Sequence, residues 1–60
     1  MFIVLVLGKE LHELEAAYGP YRSQARALEI VALCRNPSAV NYYDDDEYEV
    51  FATRTQKYDG

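Results

Sequence analysis

This chain has too few cysteines and histidines for the cross-links that often stabilise very small domains. Cys34 is the only cysteine and His12 the only histidine among 60 residues. An internal disulfide is therefore excluded, and one cysteine with one histidine cannot supply the four ligands of a usual structural zinc site. A chain of this length buries only about 60% of the surface that its unfolded form exposes. We therefore expect self-association to supply part of its stability.

Glycine, proline and basic side chains are also scarce. With three glycines and two prolines, the chain has no linker-like stretch, and its composition is that of one globular domain covering residues 1–60. Six basic side chains stand against ten acidic ones, which gives a net charge of −4. This balance argues against strong non-specific binding to nucleic acid or to an anionic membrane.

The one long apolar run, Met1–Leu7, is typical of a strand that ends at Gly8. It is far shorter than the roughly 20 residues that span a membrane, and it lacks the basic start of a secretory signal. We therefore expect no membrane contact and a cytoplasmic location. Alternate side chains of a strand point to opposite faces. One face would carry Phe2, Val4 and Val6, and the other Met1, Ile3, Leu5 and Leu7.

Both faces of this strand would be apolar, and so short a chain can cover only one of them from within. We therefore predict that Ile3, Leu5 and Leu7 form a self-association surface. A homodimer with two-fold symmetry is the simplest arrangement that buries it.

The segment Lys9–Tyr18 is compatible with two structures. Its leucines recur at helical spacing, but its side chains also alternate as in a half-exposed strand. The strand is favoured because the apolar first strand otherwise lacks an antiparallel neighbour. Gly8-Lys9-Glu10 would then be a short hairpin connection. Gly19-Pro20 predicts a break after this segment.

A helix is predicted from Gln24 to Arg35, with Ser23 as its N-cap and Asn36-Pro37 as its end. Arg26 and Glu29 are expected to pair on its outer surface. The predicted inner stripe comprises Ala25, Leu28, Val31, Ala32 and Arg35, widened by Ala27, Ile30 and Cys34.

The remaining sequence predicts a polar connection over Ser38–Glu47, a last strand over Glu49–Thr55 and a frayed tail over Gln56–Gly60. The fold class expected is therefore α+β, with the order ββαβ and one helix packed on a two- to three-stranded sheet. If Lys9–Tyr18 is helical instead, the order becomes βααβ.

Several of these features together resemble small uncharacterised proteins that are common in actinobacteria and their phages. The matching residues are Gly19-Pro20-Tyr21, Ser23, Ala25, Ala27 and Tyr48-Glu49-Val50, and the resemblance covers about half of the chain. This chain has Gln24 and Arg26 where that group usually has acidic residues. The group carries no settled activity, so the resemblance implies the ββαβ fold and a phage or accessory-protein context.

The sharpest local feature is the segment Tyr42–Glu49, in which five acidic side chains occupy the six positions 44–49. It fits a solvated loop, a surface for a basic protein partner, or a cation site. A calcium loop is disfavoured because Glu49 and Thr55 stand where such a loop needs glycine and glutamate. The candidate partner-binding residues are Tyr42, Tyr43, Asp44, Asp45, Asp46, Glu47 and Tyr48.

No residue pattern predicts catalysis, a metal or a cofactor. His12 has no nucleophile nearby in the sequence, and Cys34 falls on the inner side of the helix, where cysteine usually packs as a small apolar residue. A chain this short rarely encloses a substrate pocket of roughly 300 Å³ or more. We therefore expect a protein that is not an enzyme.

The function predicted is a small acidic protein-interaction module that forms a homo-oligomer and binds a protein partner, with a basic surface as the favoured target. The alternative is a nucleic-acid-binding accessory protein that uses Arg22, Arg26 and Arg35. The net charge argues against this alternative.

Overall fold

The computed structural model describes residues 1–55 and has three strands and one helix in the order ββαβ. The elements are β1 (Phe2–Gly8), β2 (Leu14–Tyr21), α1 (Gln24–Cys34) and β3 (Tyr48–Arg54). The α+β class and the ββαβ order are therefore confirmed. The tail predicted over Gln56–Gly60 lies outside the described residues.

The strands form one antiparallel sheet with the order β2-β1-β3, so the apolar β1 lies at its centre. The connection between β1 and β2 is longer than the predicted Gly8-Lys9-Glu10 and runs over residues 9–13. It closes through hydrogen bonds from Gly8 N to Glu13 O (2.9 Å) and from His12 N to Gly8 O (2.8 Å). His12 has a φ of 54°, a left-handed conformation that such a turn requires.

The break predicted at Gly19-Pro20 is wrong, because β2 continues through both residues to Tyr21. The β1–β2 register shifts by one extra β2 residue between Val4 and Phe2, which is the mark of a β-bulge. Gly19 has a φ of +120°, and its peptide bond to Pro20 is cis. Proline is tolerated here because β2 is an edge strand and a bulge needs no ladder donor at that position.

The helix begins and ends close to the prediction. The Ser23 Oγ accepts a hydrogen bond from Arg26 N (3.1 Å), and Arg35 is the C-cap. The predicted inner stripe is partly wrong, because Ala25 and Leu28, which it placed against the sheet, are exposed. The buried side of the helix is rotated about its axis relative to the prediction. The side chains that face the sheet are Ala27, Ile30, Val31 and Cys34. No helix among residues 1–55 is long and apolar enough to cross a membrane.

The buried core is small and lies on one face of the sheet. It consists of Val4, Val6, Ala27, Cys34 and Val50. The small side chain of Ala27 is fully buried, which lets α1 lie close to the strands. The Phe2-Val4-Val6 face of β1 is thus the one that the helix covers, as the alternation in the sequence allowed.

Candidate interaction surfaces

The opposite face of the sheet, which we call the open face, is mostly apolar and has no cover from residues 1–55. In the strand register Leu5 lies between Ala17 of β2 and Phe51 of β3. Ile3 pairs with Thr53 in the same ladder. We define the open face by the residues Ile3, Leu5, Leu7, Ala17, Glu49, Phe51 and Thr53, of which Glu49, opposite Leu7, carries a charge.

The apolar β1 and β3 residues of the open face are half-buried by their neighbours in the sheet alone. None of Ile3, Leu5, Leu7 and Phe51 belongs to the core cluster or to the residues packed against it. The Cα atoms span only 13 Å along the shortest axis, the thickness of one helix layer on one sheet. The predicted self-association residues therefore lie together on the surface that a second layer could cover.

The predicted partner-binding segment is divided by the fold. Tyr43 and Tyr48 pack against the core with their rings edge to face, 5.4 Å between centroids, and Tyr43 N donates to Cys34 O at 2.7 Å. Of the three tyrosines in this segment only Tyr42 is exposed, with 40% of its surface accessible. Two of the three tyrosines thus hold the connection onto the sheet, and Tyr42 alone offers aromatic contact area.

The acidic part of the segment is an ordered turn. The Asp44 carboxylate accepts a hydrogen bond from Asp46 N (3.0 Å), and Asp44 O accepts from Tyr48 N (2.8 Å). Asp45 is held by Arg35, whose Nε lies 3.1 Å from its Oδ1, with both side chains more than half exposed. The turn fixes where Asp46 and Glu47 stand.

This turn meets the β1–β2 connection and forms an open cleft of about 540 Å³, which we call the acidic cleft. Lys9 N donates to Glu47 O at 2.9 Å and joins the two segments. The lining residues are Gly8, Lys9, Glu10, Leu11, Glu13, Glu15, Asp46, Glu47 and Tyr48. Five carboxylates face one ammonium group, so the cleft carries a net charge of −4, equal to that of the whole chain.

Sequence reasoning missed the contribution of Glu10, Glu13 and Glu15 to this cleft, because it placed Glu10 in a short hairpin connection and treated Lys9–Tyr18 as a half-exposed strand with no contact to the acidic segment. No local sequence signal shows this meeting, because it depends on the pairing of β3 with β1, which brings the start of β3 beside the end of β1. In residues 1–55 no group of three or more His, Cys, Asp or Glu side chains is arranged to hold a metal ion.

The three arginines of the nucleic-acid alternative do not form one free basic patch. Arg26 is paired with Glu29 (2.8 Å), as predicted, and Arg35 with Asp45. Arg22 lies ahead of the N-cap Ser23, outside the helix.

The other chemically distinctive side chains have structural surroundings. The hydroxyl groups of Tyr18 and Tyr43 lie 2.7 Å apart and share a hydrogen bond, which together with burial raises the pKa of Tyr18 to about 12. Cys34 is 2% exposed, and burial raises the pKa of its thiol, which lowers its thiolate fraction. His12 lies exposed in the β1–β2 turn.

No protein-family model matches this chain, and no curated protein or solved structure shows significant similarity to it. The resemblance to small actinobacterial and phage proteins therefore stays a prediction.

Proposed function

We propose that this protein is a non-enzymatic interaction module that self-associates through its open face and binds a basic protein partner through the acidic cleft. The observation that carries the proposal is the uncovered apolar centre of the sheet, Leu5 beside Phe51 and Ala17. Apolar surface of this kind gains free energy when a second layer excludes water from it. The same open face on a second copy is the simplest layer, because a two-fold axis makes it self-complementary.

The size of the open face sets the strength of this association. Three strands about 4.8 Å apart, with seven residues rising about 3.3 Å each, give a planar area of roughly 330 Å². A standard stable interface buries about 800 Å² on each partner. Association through the open face alone is therefore expected to be weak and concentration-dependent, with room for a second contact.

The acidic cleft supports the second half of the proposal. Its five carboxylates stand on two segments that backbone hydrogen bonds fix in place, so their field is focused at one end of the sheet. Such a field raises the association rate of a basic surface and weakens as salt is added. Tyr42 lies exposed in the same connection and adds contact area. From the resemblance we extend the proposal to a cytoplasmic, phage-encoded modulator of a host protein.

The nucleic-acid alternative has less support. Two of its three arginines are already paired with carboxylates. The cluster of charges that residues 1–55 form is the acidic cleft, which would repel a phosphate backbone.

Two measurements test the two surfaces separately. Sedimentation over a concentration series should show a dimer that Leu5→Thr weakens while the circular dichroism spectrum is kept. A lysine- and arginine-rich peptide should bind more weakly to the double variant Glu13→Gln, Glu15→Gln than to the parent chain. The control Glu29→Gln, Asp45→Asn removes the same charge outside the cleft and outside the sheet. Equal loss of binding in both double variants would contradict a role for the cleft.

A further inference from the structure

The outer edge of β3 presents backbone groups that no described segment uses. Lys9 N donates to Glu47 O and Thr55 N to Met1 O, so the residues that exchange hydrogen bonds between β1 and β3 are the odd-numbered ones. In an antiparallel ladder the alternate residues direct their N–H and C=O groups away from that partner. The backbone groups of Val50, Ala52 and Arg54 therefore point outward.

Within residues 1–55 no backbone hydrogen bond joins these outward groups to another segment. Only the first outward donor of the strand is satisfied, because Tyr48 N donates to Asp44 O.

The two edges of the sheet differ in how they are protected. β2 carries two register shifts against β1, and Pro20 removes a donor from it. Bulges and proline are the usual devices that prevent an edge strand from pairing with another chain. β3 pairs with β1 over seven consecutive residues without a shift, and it contains no proline. It is the regular edge of this sheet.

We propose that the β3 strands of two copies pair antiparallel across a two-fold axis, giving one continuous six-stranded sheet. An axis at Phe51 places Phe51 opposite its own copy on the open face. It also places Arg54 opposite Tyr48 on the helix side, a cation and an aromatic ring, and Glu49 opposite Thr53. This register sets no like charges opposite each other, which would be destabilising.

The pairing goes beyond the open-face contact proposed above: it is a second contact, which joins the edges of two sheets and leaves their open faces uncovered. The outward groups of Val50, Ala52 and Arg54 would form roughly six backbone hydrogen bonds across the axis. The open faces of the two copies would then be continuous, with about twice the apolar area of one chain. Face-to-face association of two such pairs would then bury about twice the area that two single chains bury.

Two alanines in matching positions test this pairing. Ala52 has its N–H on the outer edge of β3. The odd-numbered residues of β1 bond to β3, so its even-numbered residues Val4 and Val6 direct their backbone groups to their β2 partners Tyr18 and Ala16. The N–H of Ala17, between those partners, therefore lies on the outer edge of β2. Ala52→Pro and Ala17→Pro therefore each remove one outward donor and no donor of the sheet. Chains synthesised with N-methylalanine at position 52 or 17 make the same change without the proline ring.

Sedimentation equilibrium and circular dichroism should be measured on all four chains. We expect both changes at position 52 to raise the dissociation constant of the edge contact roughly 30-fold, since the change occurs in both copies and removes two hydrogen bonds. Both changes at position 17 should leave it within about twofold of the parent value. If Ala52→Pro unfolds the chain, the dissociation constant of the chain with N-methylalanine at position 52 tests the pairing.

Three outcomes would overturn the pairing. An unchanged dimer with N-methylalanine at position 52 that Leu5→Thr still dissociates would leave the open face as the interface and refute the edge. Equal weakening at positions 52 and 17 would refute a specific role of β3. A monomer at every concentration would refute both self-association proposals. This would also be the outcome if residues 56–60 of the same chain occupied the edge of β3.

Discussion

Leu5 and Phe51 lie directly opposite each other in the β1–β3 ladder, on the face of the sheet that the helix leaves uncovered. The residues on either side of Leu5 in the sequence, Val4 and Val6, are fully buried under the helix. One strand therefore divides its side chains between a core that the chain completes and an apolar surface that it does not. Self-association through the open face depends on this division.

Replacing neighbouring residues of β1 by threonine should separate the two faces. Leu5→Thr replaces leucine by a polar β-branched residue that favours strands, so it should weaken dimerisation with little loss of secondary structure. Val6→Thr places a hydroxyl group in the apolar core, where the neighbouring core side chains offer it no hydrogen-bond acceptor. It should lower the free energy of unfolding by about 2 kcal/mol. Urea unfolding and sedimentation of both variants check this. Equal effects of the two variants on dimerisation would contradict the division.

Gly19 should tolerate no side chain. Its φ is +120°, and a Cβ atom there would lie 3.2 Å from the backbone oxygen of Phe2. Gly19→Ala should therefore lower the free energy of unfolding by roughly 1–3 kcal/mol. Gly8→Ala is the control, since the nearest atom to its Cβ would be the flexible Glu13 Cγ at 3.5 Å. A stability of Gly19→Ala equal to that of Gly8→Ala would show that the bulge does not need glycine.

The N-cap of the helix should contribute measurably to stability. Ser23→Ala removes the acceptor for Arg26 N and should cost about 1 kcal/mol. Ser38→Ala makes the same change at an exposed position beyond the helix and should alter the free energy of unfolding by less than about 0.5 kcal/mol. Thermal and urea unfolding check both, and a larger loss in Ser38→Ala would argue against Ser23 as the cap.

Stability should fall at alkaline pH through Tyr18. Its folded pKa is raised to about 12, whereas a tyrosine in the unfolded chain titrates near 10. The stabilisation is fully present below pH 10 and is lost as the pH rises from about 10 to about 12, because the unfolded chain releases its proton first. NMR titration of the Tyr18 ring checks the pKa.

Tyr43→Phe is the control for this pH dependence. It removes the hydroxyl that shares the hydrogen bond with Tyr18 and should bring the Tyr18 pKa back toward its usual value. The alkaline loss of stability should become smaller in the same variant. A Tyr18 pKa that Tyr43→Phe leaves near 12 would assign the shift to burial alone.

Local sequence signals predicted the elements but not every boundary between them. Three signals determine structure within a few residues of themselves: the apolar run Met1–Leu7, the N-cap Ser23 and the helix end at Asn36-Pro37. The first strand and the bounds of the helix were therefore predictable, and the order ββαβ was predicted with them. The prediction at Gly19-Pro20 was wrong because this dipeptide is compatible with two structures. It can end a strand at a turn, or it can lie within an edge strand at a bulge. Only the position of β2 in the sheet distinguishes the two cases, and a single sequence does not contain it.

The candidate surfaces were predictable to different extents. Ile3, Leu5 and Leu7 share a face through simple alternation, so the open face could be anticipated once the strand was recognised. The rotation of the helix stripe could not, since Ala27 and Leu28 are both apolar and the close approach to the sheet selects the smaller one. The acidic cleft also escaped prediction, because Glu13 and Glu47 meet only through strand pairing.

The most direct test of the central claim is the solution mass by light scattering over a wide concentration range, for the parent chain and for Leu5→Thr. We predict that the parent chain reaches at least twice the mass of one chain as concentration rises, and that Leu5→Thr needs a higher concentration to reach the same mass. A parent chain that stays folded and keeps the mass of one chain at every concentration would contradict the claim that the open face is an interface.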